Sequence, residues 1–264
     1  GDVYKRQHLM NEFKGFDKSF NLTNKVAIVT GGASGIGEAI TDLFAEKEAK
    51  VAVIDIKQDV ENTEQQKDNV FGFKCDITDA EQVKNTVNSI KERFGRIDIL
   101  VNSAGVALLD DAENISDDLW QKTLDLNLTA LFKMAQTVGN ILIEQNEGGK
   151  IINMSSQNAL IALDNHTAYG ATKAAVVNVT KSLAYEWAQY GINVNSISPT
   201  IVATELSDKA WVGEKRKEQL DSIPLGRFGH PSEVAAVALF LTSDAANFIT
   251  GENIVIDGCL LYTS

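Results

Sequence analysis

The sequence has few cysteines, few prolines and no long apolar run. Among its 264 residues there are two cysteines and three prolines. Two cysteines are too few for a disulfide framework, which fits a reducing compartment. No apolar stretch approaches the about 20 residues that a membrane-spanning helix requires. These absences predict a cytoplasmic protein with no membrane partner.

Basic residues are scarce relative to acidic ones. Lys and Arg number 24 against 36 Asp and Glu, which gives a formal net charge of -12. Nucleic acids attract clustered Lys and Arg, so no nucleic-acid partner is expected. Hydrophobic residues make up 44% of the chain, which is ordinary for a globular protein that buries a core.

Both ends of the sequence differ in pattern from the residues beside them. The opening GDVYKRQ and the closing CLLYTS are similar to translated adapter sequence. We therefore expect a partly non-native extension over 1–21, with Met10 as the natural start, and a non-native tail over 259–264. Natural disordered tails are the alternative. The expected domain spans 22–258.

The middle of the chain alternates between short apolar segments and stretches with helical periodicity. Segments rich in Val and Ile predict seven strands, at 25–30, 51–55, 70–75, 98–101, 150–154, 192–198 and 253–257. Helices are predicted between them, at 36–47, 79–94, 116–145, 167–190 and from Pro231 onward. Such alternation, with right-handed crossovers, forms a parallel sheet between two helical layers. The expected fold is α/β: a single-domain, Rossmann-type, doubly wound seven-stranded parallel sheet with helices on both faces.

A glycine-rich turn follows the first predicted strand. The segment TGGASGIG places Gly31, Gly35 and Gly37 between a strand and a helix. Glycines let the backbone approach a pyrophosphate, and the free N–H groups of the next helix favour an anion. No Lys-Ser or Lys-Thr pair follows, so the segment is not a nucleoside triphosphate loop. The turn predicts a dinucleotide site, with a purely structural turn as the alternative.

Two acidic residues follow the next two strands. Asp55 lies 20 residues after Gly35, where a carboxylate can hydrogen-bond an adenosine ribose. A carboxylate there repels a 2′-phosphate and favours NAD over NADP, although Lys57 nearby weakens that preference. Asp76 either holds an adenine amino group or is an acidic residue at a helix N-terminus.

Tyr169 and Lys173 stand four residues apart in a predicted helix and therefore share one face. A free tyrosine titrates near pH ~10, and a neighbouring ammonium favours the phenolate. We predict that Lys173 lowers the pKa of Tyr169, which then exchanges a proton with an alcohol or carbonyl oxygen. Taken alone, a Tyr-x-x-x-Lys pair is more often two surface residues with no catalytic role.

Together these motifs resemble the short-chain dehydrogenase/reductase family over almost the whole expected domain. The glycine turn is similar to the family's T-G-x-x-x-G-x-G. The segment NSAG at 102–105 is similar to N-N-A-G, with Ser103 in place of the second Asn. The segment SPTIVAT at 198–204 resembles P-G-x-x-x-T, with Thr200 in place of Gly. The two departures concern local backbone shape.

The resemblance implies a catalytic set of Asn127, Ser156, Tyr169 and Lys173. Ser156 lies 13 residues before Tyr169, which is the family's spacing and selects it over Ser155. Tyr169 is then the proton donor or acceptor, and Lys173 lowers its pKa and binds the nicotinamide ribose. Ser156 polarises the substrate oxygen, and Asn127 supports a water relay to the lysine.

The resemblance also implies NAD as the cofactor, with hydride passing between its nicotinamide ring and the substrate carbon. Ile201 and Thr204 are expected to position the carboxamide of that ring. No metal site is expected. The expected cofactor-binding residues are Gly31, Ser34, Gly35, Ile36, Gly37, Asp55, Asp76, Ile77, Asn102, Ala104, Gly105, Tyr169, Lys173, Pro199, Ile201 and Thr204.

Within the family, the segment LDNHTAYGATKAA resembles the polyol-oxidising branch, which interconverts sugar alcohols and ketoses. A polyol site needs several hydrogen-bonding partners. We expect Ser156 and Tyr169 to be joined there by His166, Gln157 and Asn158. The alternative for His166 is a loop histidine that caps its own turn.

Two further expectations follow from the resemblance. The polar segment 204–225, which contains Trp211, is expected to form a mobile lid over the substrate. The predicted helices 116–145 and 167–190 carry extensive apolar faces, and the family usually assembles through them. A homotetramer is therefore expected.

Two other functions compete with a polyol dehydrogenase. A reductase of 3-oxoacyl thioesters or other ketones would benefit from basic patches and NADPH, and neither the net charge nor Asp55 favours it. A catalytically idle NAD-binding regulator would lack Ser156, Tyr169 or Lys173, and all three are present.

Overall fold

The computed structural model describes residues 15–57, 59–61, 68–205, 207 and 211–262. The expected natural start at Met10 and the last two residues of the expected tail lie outside the described residues. None of the helices within the described ranges has the length and apolar character to cross a bilayer.

Seven parallel strands form one sheet in the order β3-β2-β1-β4-β5-β6-β7. The predicted α/β fold is confirmed. The order reverses between β1 and β4, and ligands of such sheets bind at this point, beyond the carboxyl ends of the strands. The strands are β1 Val26–Thr30, β2 Lys50–Asp55, β3 Val70–Lys74, β4 Ile99–Asn102, β5 Gly149–Met154, β6 Ile192–Pro199 and β7 Asn253–Ile256.

Helices cover both faces of the sheet because alternate strand residues point to opposite sides. Val29 belongs to a core shared with Phe44 of α1, and Ile28 belongs to a core shared with Met134 of α4. The first core also takes in α7, and the second takes in α2 and α5. The helices are α1 Gly35–Glu46, α2 Ala80–Phe94, α3 Asp117–Leu124, α4 Leu131–Gln145, α5 Thr167–Trp187, α6 Gly213–Ser222 and α7 Pro231–Thr242.

The long helix predicted over 116–145 is interrupted. Asp125–Ala130 forms a π-helical segment between α3 and α4. Such wide turns occur mostly at functional sites. Asn127 lies inside the segment and is buried. Hydrophobic periodicity could not reveal the interruption, because the apolar pattern continues across it.

The expected lid is helical in part. Helix α6 lies within the polar segment, and residues 206 and 208–210 are outside the described residues. Trp211 packs against a small third core that contains Ile223, Phe228 and Leu260. Leu260, from the expected tail, is buried there. The loop after β6, this helix and the last turn of the described chain therefore share one apolar cluster.

Candidate active site

The glycine turn after β1 is packed so closely at Gly31 and Gly37 that neither position has room for a side chain. A Cβ on Gly37 would lie 2.2 Å from the carbonyl oxygen of Gly31. A Cβ on Gly31, whose φ is +64°, would lie 2.9 Å from Cα of Ala104. The backbone at Gly31 and Gly37 therefore carries no side chain at the start of α1, where free N–H groups favour an anion. This observation fits a dinucleotide phosphate.

Thr30 joins the glycine turn to the segment after β4. Its hydroxyl oxygen accepts hydrogen bonds from the backbone N–H groups of Ser103 and Ala104, at 3.1 and 3.2 Å. These bonds hold the two loops that border the crevice at the reversal of strand order. The sequence did not predict this role of Thr30, and only the position of Thr30 at the start of the glycine motif could have indicated it.

Asp55 lies at the end of β2, against the glycine turn. Its carboxylate accepts hydrogen bonds from the N–H groups of Ala33 and Lys57, at 3.3 and 3.1 Å. The ammonium of Lys57 donates to the carbonyl oxygen of Ala33 at 3.1 Å. A carboxylate and a cation therefore border the same turn, as the sequence analysis expected.

Asp76 and Ile77 follow β3, at the far side of the crevice. The Asp76 carboxylate accepts hydrogen bonds from the backbone and hydroxyl of Thr78, at 2.9 and 2.7 Å. Ile77 is buried in the core beneath. Asp76 therefore helps to form the turn before α2, whose N-cap is Asp79, and its contact with an adenine amino group stays a prediction.

Asn102 lies inside the fold. Its amide donates to Oδ1 of Asn153 at 2.9 Å, and the amide of Asn153 donates to Thr180 at 3.0 Å. Oδ1 of Asn102 is buried and has no hydrogen-bond partner among the described residues. The amide of Asn102 therefore links β4 to β5 and, through Asn153, to α5.

Asn127 and Lys173 meet beside Gly105. The Asn127 side chain exchanges two hydrogen bonds with the backbone of Val106, at 2.8 and 2.9 Å. A Cβ on Gly105 would lie 3.2 Å from Oδ1 of Asn127 and 3.6 Å from Nζ of Lys173. The π-helical segment thus presents Asn127 to the lysine.

The Lys173 ammonium is buried at the carboxyl end of β5. It donates to the carbonyl oxygen of Met154 at 2.9 Å. The hydroxyl of Ser155 donates to the Lys173 carbonyl at 2.9 Å, so strand and helix are fastened twice. Burial lowers the pKa of Lys173 to about 8. Ser155, which the family spacing did not select as the catalytic serine, therefore holds the backbone of Lys173 in place.

Tyr169 differs from its prediction. Its pKa is raised because burial disfavours the phenolate, and a hydrogen bond with Ser156 opposes this rise. Nζ of Lys173 lies 5.5 Å from the centroid of the tyrosine ring. The prediction that Lys173 sets a lowered pKa was wrong for this structure, because it considered the pair alone and left out the burial of the phenol.

Ser156, Gln157 and Asn158 form a buried turn after β5. Oγ of Ser156 accepts a hydrogen bond from the N–H of Asn158 at 3.2 Å. The carbonyl oxygens of the Gln157 and Asn158 side chains are buried without a hydrogen-bond partner among the described residues. The amide of Asn158 donates to the carbonyl of Ile161 at 2.8 Å.

His166 immediately precedes α5 and lies edge-on to Tyr169, with ring centroids 5.9 Å apart. Its Nδ1 is 2.5 Å from the carbonyl oxygen of Asp164. A carbonyl only accepts, so Nδ1 carries the hydrogen and Nε2 is the free acceptor of the neutral ring. The histidine therefore braces its own turn and also borders the tyrosine.

The loop after β6 reaches the glycine turn. A Cβ on Gly35 would lie 3.5 Å from Cγ2 of Thr204. The backbone N–H of Thr204 donates to the Ser207 hydroxyl at 2.9 Å, and the carbonyl of Ile201 accepts from the N–H of Gly229 at 3.0 Å. The loop that follows Pro199 therefore contacts the glycine turn at the start of α1, and the roles of Ile201 and Thr204 toward the carboxamide stay predictions.

A family model described as enoyl-(acyl carrier protein) reductase matches residues 31–260. An NAD-dependent glycerol dehydrogenase of Listeria innocua is 54% identical over 93% of this chain and 97% of its own length. A D-threitol dehydrogenase of Mycolicibacterium smegmatis is 48% identical over 92% of this chain and 95% of its own. A crystal structure of a short-chain type dehydrogenase/reductase from Mycobacterium marinum superposes with a TM-score of 0.86. It is 33% identical and covers 91% of this chain and 97% of that chain.

The packing of the glycine turn predicts the effect of one added methyl group. Gly37→Ala should weaken NAD binding by about tenfold or more, because the new Cβ displaces the Gly31 carbonyl. The measurement is the rise in melting temperature on adding NAD, which mass action links to affinity. Gly229→Ala is the control, since a Cβ there meets its neighbours at an ordinary 3.7 Å. An equal rise in Gly37→Ala and the parent would contradict the assignment of the turn.

Proposed function

The chain belongs to the short-chain dehydrogenase/reductase family, and on that premise we propose that it is an NAD-dependent dehydrogenase that oxidises a sugar alcohol. Members of this family are oxidoreductases that use a nicotinamide cofactor and act on small alcohols or carbonyl compounds. One set of contacts supports the proposal most. Tyr169 is hydrogen-bonded to Ser156, and the Lys173 ammonium lies 5.5 Å from the centroid of its ring. Lys173 and Asn127 both border Gly105.

The residues of the crevice fit a dinucleotide. Gly31, Gly35 and Gly37 would face its phosphates, and Asp55 would face its adenosine ribose. Lys173 would face the second ribose. When bound, the cofactor accepts or supplies the hydride. The chain must therefore bind the alcohol, orient it and move one proton.

Tyr169 is the residue that we assign to the proton. In oxidation its phenolate would take the proton of the substrate hydroxyl, and in reduction its phenol would return one. Burial raises its pKa, which favours the phenol, whereas the hydrogen bond with Ser156 favours the phenolate. Lys173 contributes a positive charge 5.5 Å from the ring centroid. Ser156 holds the same substrate oxygen, and Asn127 supports the water path to Lys173.

NAD rather than NADP is supported by the Asp55 carboxylate beside Ala33. A 2′-phosphate would meet that negative charge. The Lys57 ammonium donates one hydrogen bond to the Ala33 carbonyl, and its remaining donors weaken this preference. The glycerol dehydrogenase relative is named as NAD-dependent.

A polyol substrate is supported by the two relatives that act on glycerol and D-threitol. The polar lining of the site agrees with such a substrate. Nε2 of His166 is the acceptor of the neutral ring beside Tyr169, and Oε1 of Gln157 is buried with no hydrogen-bond partner among the described residues. A second hydroxyl of the substrate could pair with either group. A cytoplasmic location fits these reactions.

A homotetramer is supported by the outer surface of α4 and α5. A groove of about 570 Å³ there is lined by Ile143, Trp187 and Tyr190, and Tyr185 beside them is 87% exposed. Exposed aromatic surface of this kind is typical of protein interfaces.

Replacing Tyr169 tests the catalytic assignment. Tyr169→Phe should lower kcat by about a hundredfold or more because the substitution removes the hydroxyl that we assign to proton transfer. Binding of NAD should stay within about twofold of the parent. Turnover is followed by the absorbance of reduced cofactor, and NAD binding by calorimetry. Unchanged turnover would refute the assignment.

A substrate panel tests the choice of alcohol. Glycerol, tetritols, pentitols and hexitols are each supplied with NAD or NADP, and reduced cofactor is measured. We expect oxidation of at least one polyol with NAD, and a lower kcat/KM with NADP. A 3-oxoacyl thioester with NADPH serves as the comparison for the competing ketone reductase. Reaction with that pair alone would replace the polyol assignment.

The molecular mass of the protein in solution tests the proposed homotetramer. Light scattering should give the mass of four chains for the parent. Tyr185→Lys, which places a charge on the exposed face, should shift the mass toward smaller species. A monomeric parent would overturn the tetramer.

A further inference from the structure

A buried contact joins the turn after Ser156 to the helix turn that carries Tyr169. Gly170 follows Tyr169 in α5, and Asn158 comes two residues after Ser156. A Cβ on Gly170 would lie 2.8 Å from Oδ1 of Asn158 and 3.2 Å from its backbone oxygen. Real Cβ atoms essentially never come within 3.0 Å of another group. Position 170 therefore fits glycine while Asn158 occupies this space.

The side-chain amide and the backbone N–H of Asn158 are both hydrogen-bonded. Its amide donates to Ile161 at 2.8 Å, while its backbone N–H donates to Oγ of Ser156 at 3.2 Å. Oδ1 is buried against Gly170 and has no conventional donor among the described residues. In glycine a hydrogen takes the Cβ direction, so a weak Cα–H···O contact remains for this oxygen.

A buried acceptor without a conventional donor costs free energy, so its retention calls for an explanation. The explanation that fits is steric. Because the carboxamide lies directly on Gly170, the distance between the Ser156 turn and the first turn of α5 cannot shrink. Its bond to Ile161 prevents the carboxamide from turning away.

We infer that Asn158 is a positioning residue, and not a substrate-binding one: its contact with Gly170 sets the separation between the hydroxyls of Ser156 and Tyr169. The inference rests on the proposed function, because that separation matters only if the two hydroxyls share one substrate oxygen. It replaces the substrate role that the sequence suggested for Asn158 and leaves Gln157 and His166 in theirs.

The contact between Asn158 and Gly170 also affects the pKa of Tyr169. The hydrogen bond with Ser156 lowers the pKa of Tyr169, against the rise that burial causes. In Gly170→Ala the added methyl group pushes the two turns apart, so that bond weakens and the pKa of Tyr169 rises further. In Asn158→Ala the spacer is removed, so the two hydroxyls leave their present separation. Lys173 and His166 are titratable groups that also border the ring.

The test uses Asn158→Ala, Gly170→Ala and the double variant. Asn158→Ala should lower kcat by about tenfold, with the KM for NAD unchanged, because only the alignment of two hydroxyls is lost. Gly170→Ala should lower kcat at least as much. The double variant should recover part of the Gly170→Ala loss, since the collision with the carboxamide is gone. Asn178→Ala, an exposed asparagine of the same helix, should match the parent.

Tyr169 is also titrated directly, without turnover. Ultraviolet difference absorbance of the phenolate is measured for each variant against the same variant carrying Tyr169→Phe, which isolates Tyr169 among the five tyrosines. The midpoint should rise in Gly170→Ala, in the same direction as in Ser156→Ala, and should move away from the parental value in Asn158→Ala. A purely structural asparagine would leave this midpoint where the parent has it.

Two results would overturn the inference. One is an unchanged Tyr169 midpoint together with parental kcat in Asn158→Ala. The other is an increased KM for the polyol at constant kcat, which would make Asn158 a substrate-binding residue. Asn158→Ala only removes atoms, so it keeps the test open if Gly170→Ala does not fold. Failure of the proposed function would be distinguishable, because the parent would then oxidise no alcohol. The phenolate titration of Tyr169 could still be measured in that case.

Discussion

The rest of the site depends on the buried ammonium of Lys173. It donates to the Met154 carbonyl at the end of β5, and burial lowers its pKa to about 8. A buried cation costs several kcal/mol unless its hydrogen bonds are in place, so strand β5 and helix α5 must hold a fixed relation. Ser155 supplies the second fastening through the Lys173 backbone. Ser156 follows β5 by one residue and Tyr169 lies in α5, so the contacts of the lysine fix the positions of both.

The sheet could be predicted from the sequence because burial on both faces makes each strand a short apolar run between polar turns. Segments such as VAIVT and KIINM have no other plausible place in a globular chain. The glycine turn was equally predictable, since Gly37 lies against the backbone of Gly31, and Gly31 itself has a left-handed φ of +64°. Local geometry dictated both features, so local pattern was sufficient to find them.

Features that depend on contacts between distant segments could not be read in this way. The i, i+4 spacing of Tyr169 and Lys173 predicted a shared face, yet it could not report how deeply the phenol would be buried. Burial then reversed the predicted direction of the pKa of Tyr169. The contact between Asn158 and Gly170 spans two elements, and neither residue alone signals it. The links from Thr30 to Ser103 and Ala104 are of the same kind.

The π-helical segment Asp125–Ala130 constrains how this helix can change in length. A π turn holds one residue more than the α turn that it replaces, and one residue corresponds to about 100° of rotation around the axis. Deleting one residue there would let the helix close into a regular spiral. The regular turn sweeps the same full circle, so α3 and α4 would keep their faces, and Asn127 would lose the wide turn that places it beside Gly105. A deletion elsewhere in α3 or α4 has no wide turn to absorb it and would rotate the residues beyond it by that angle.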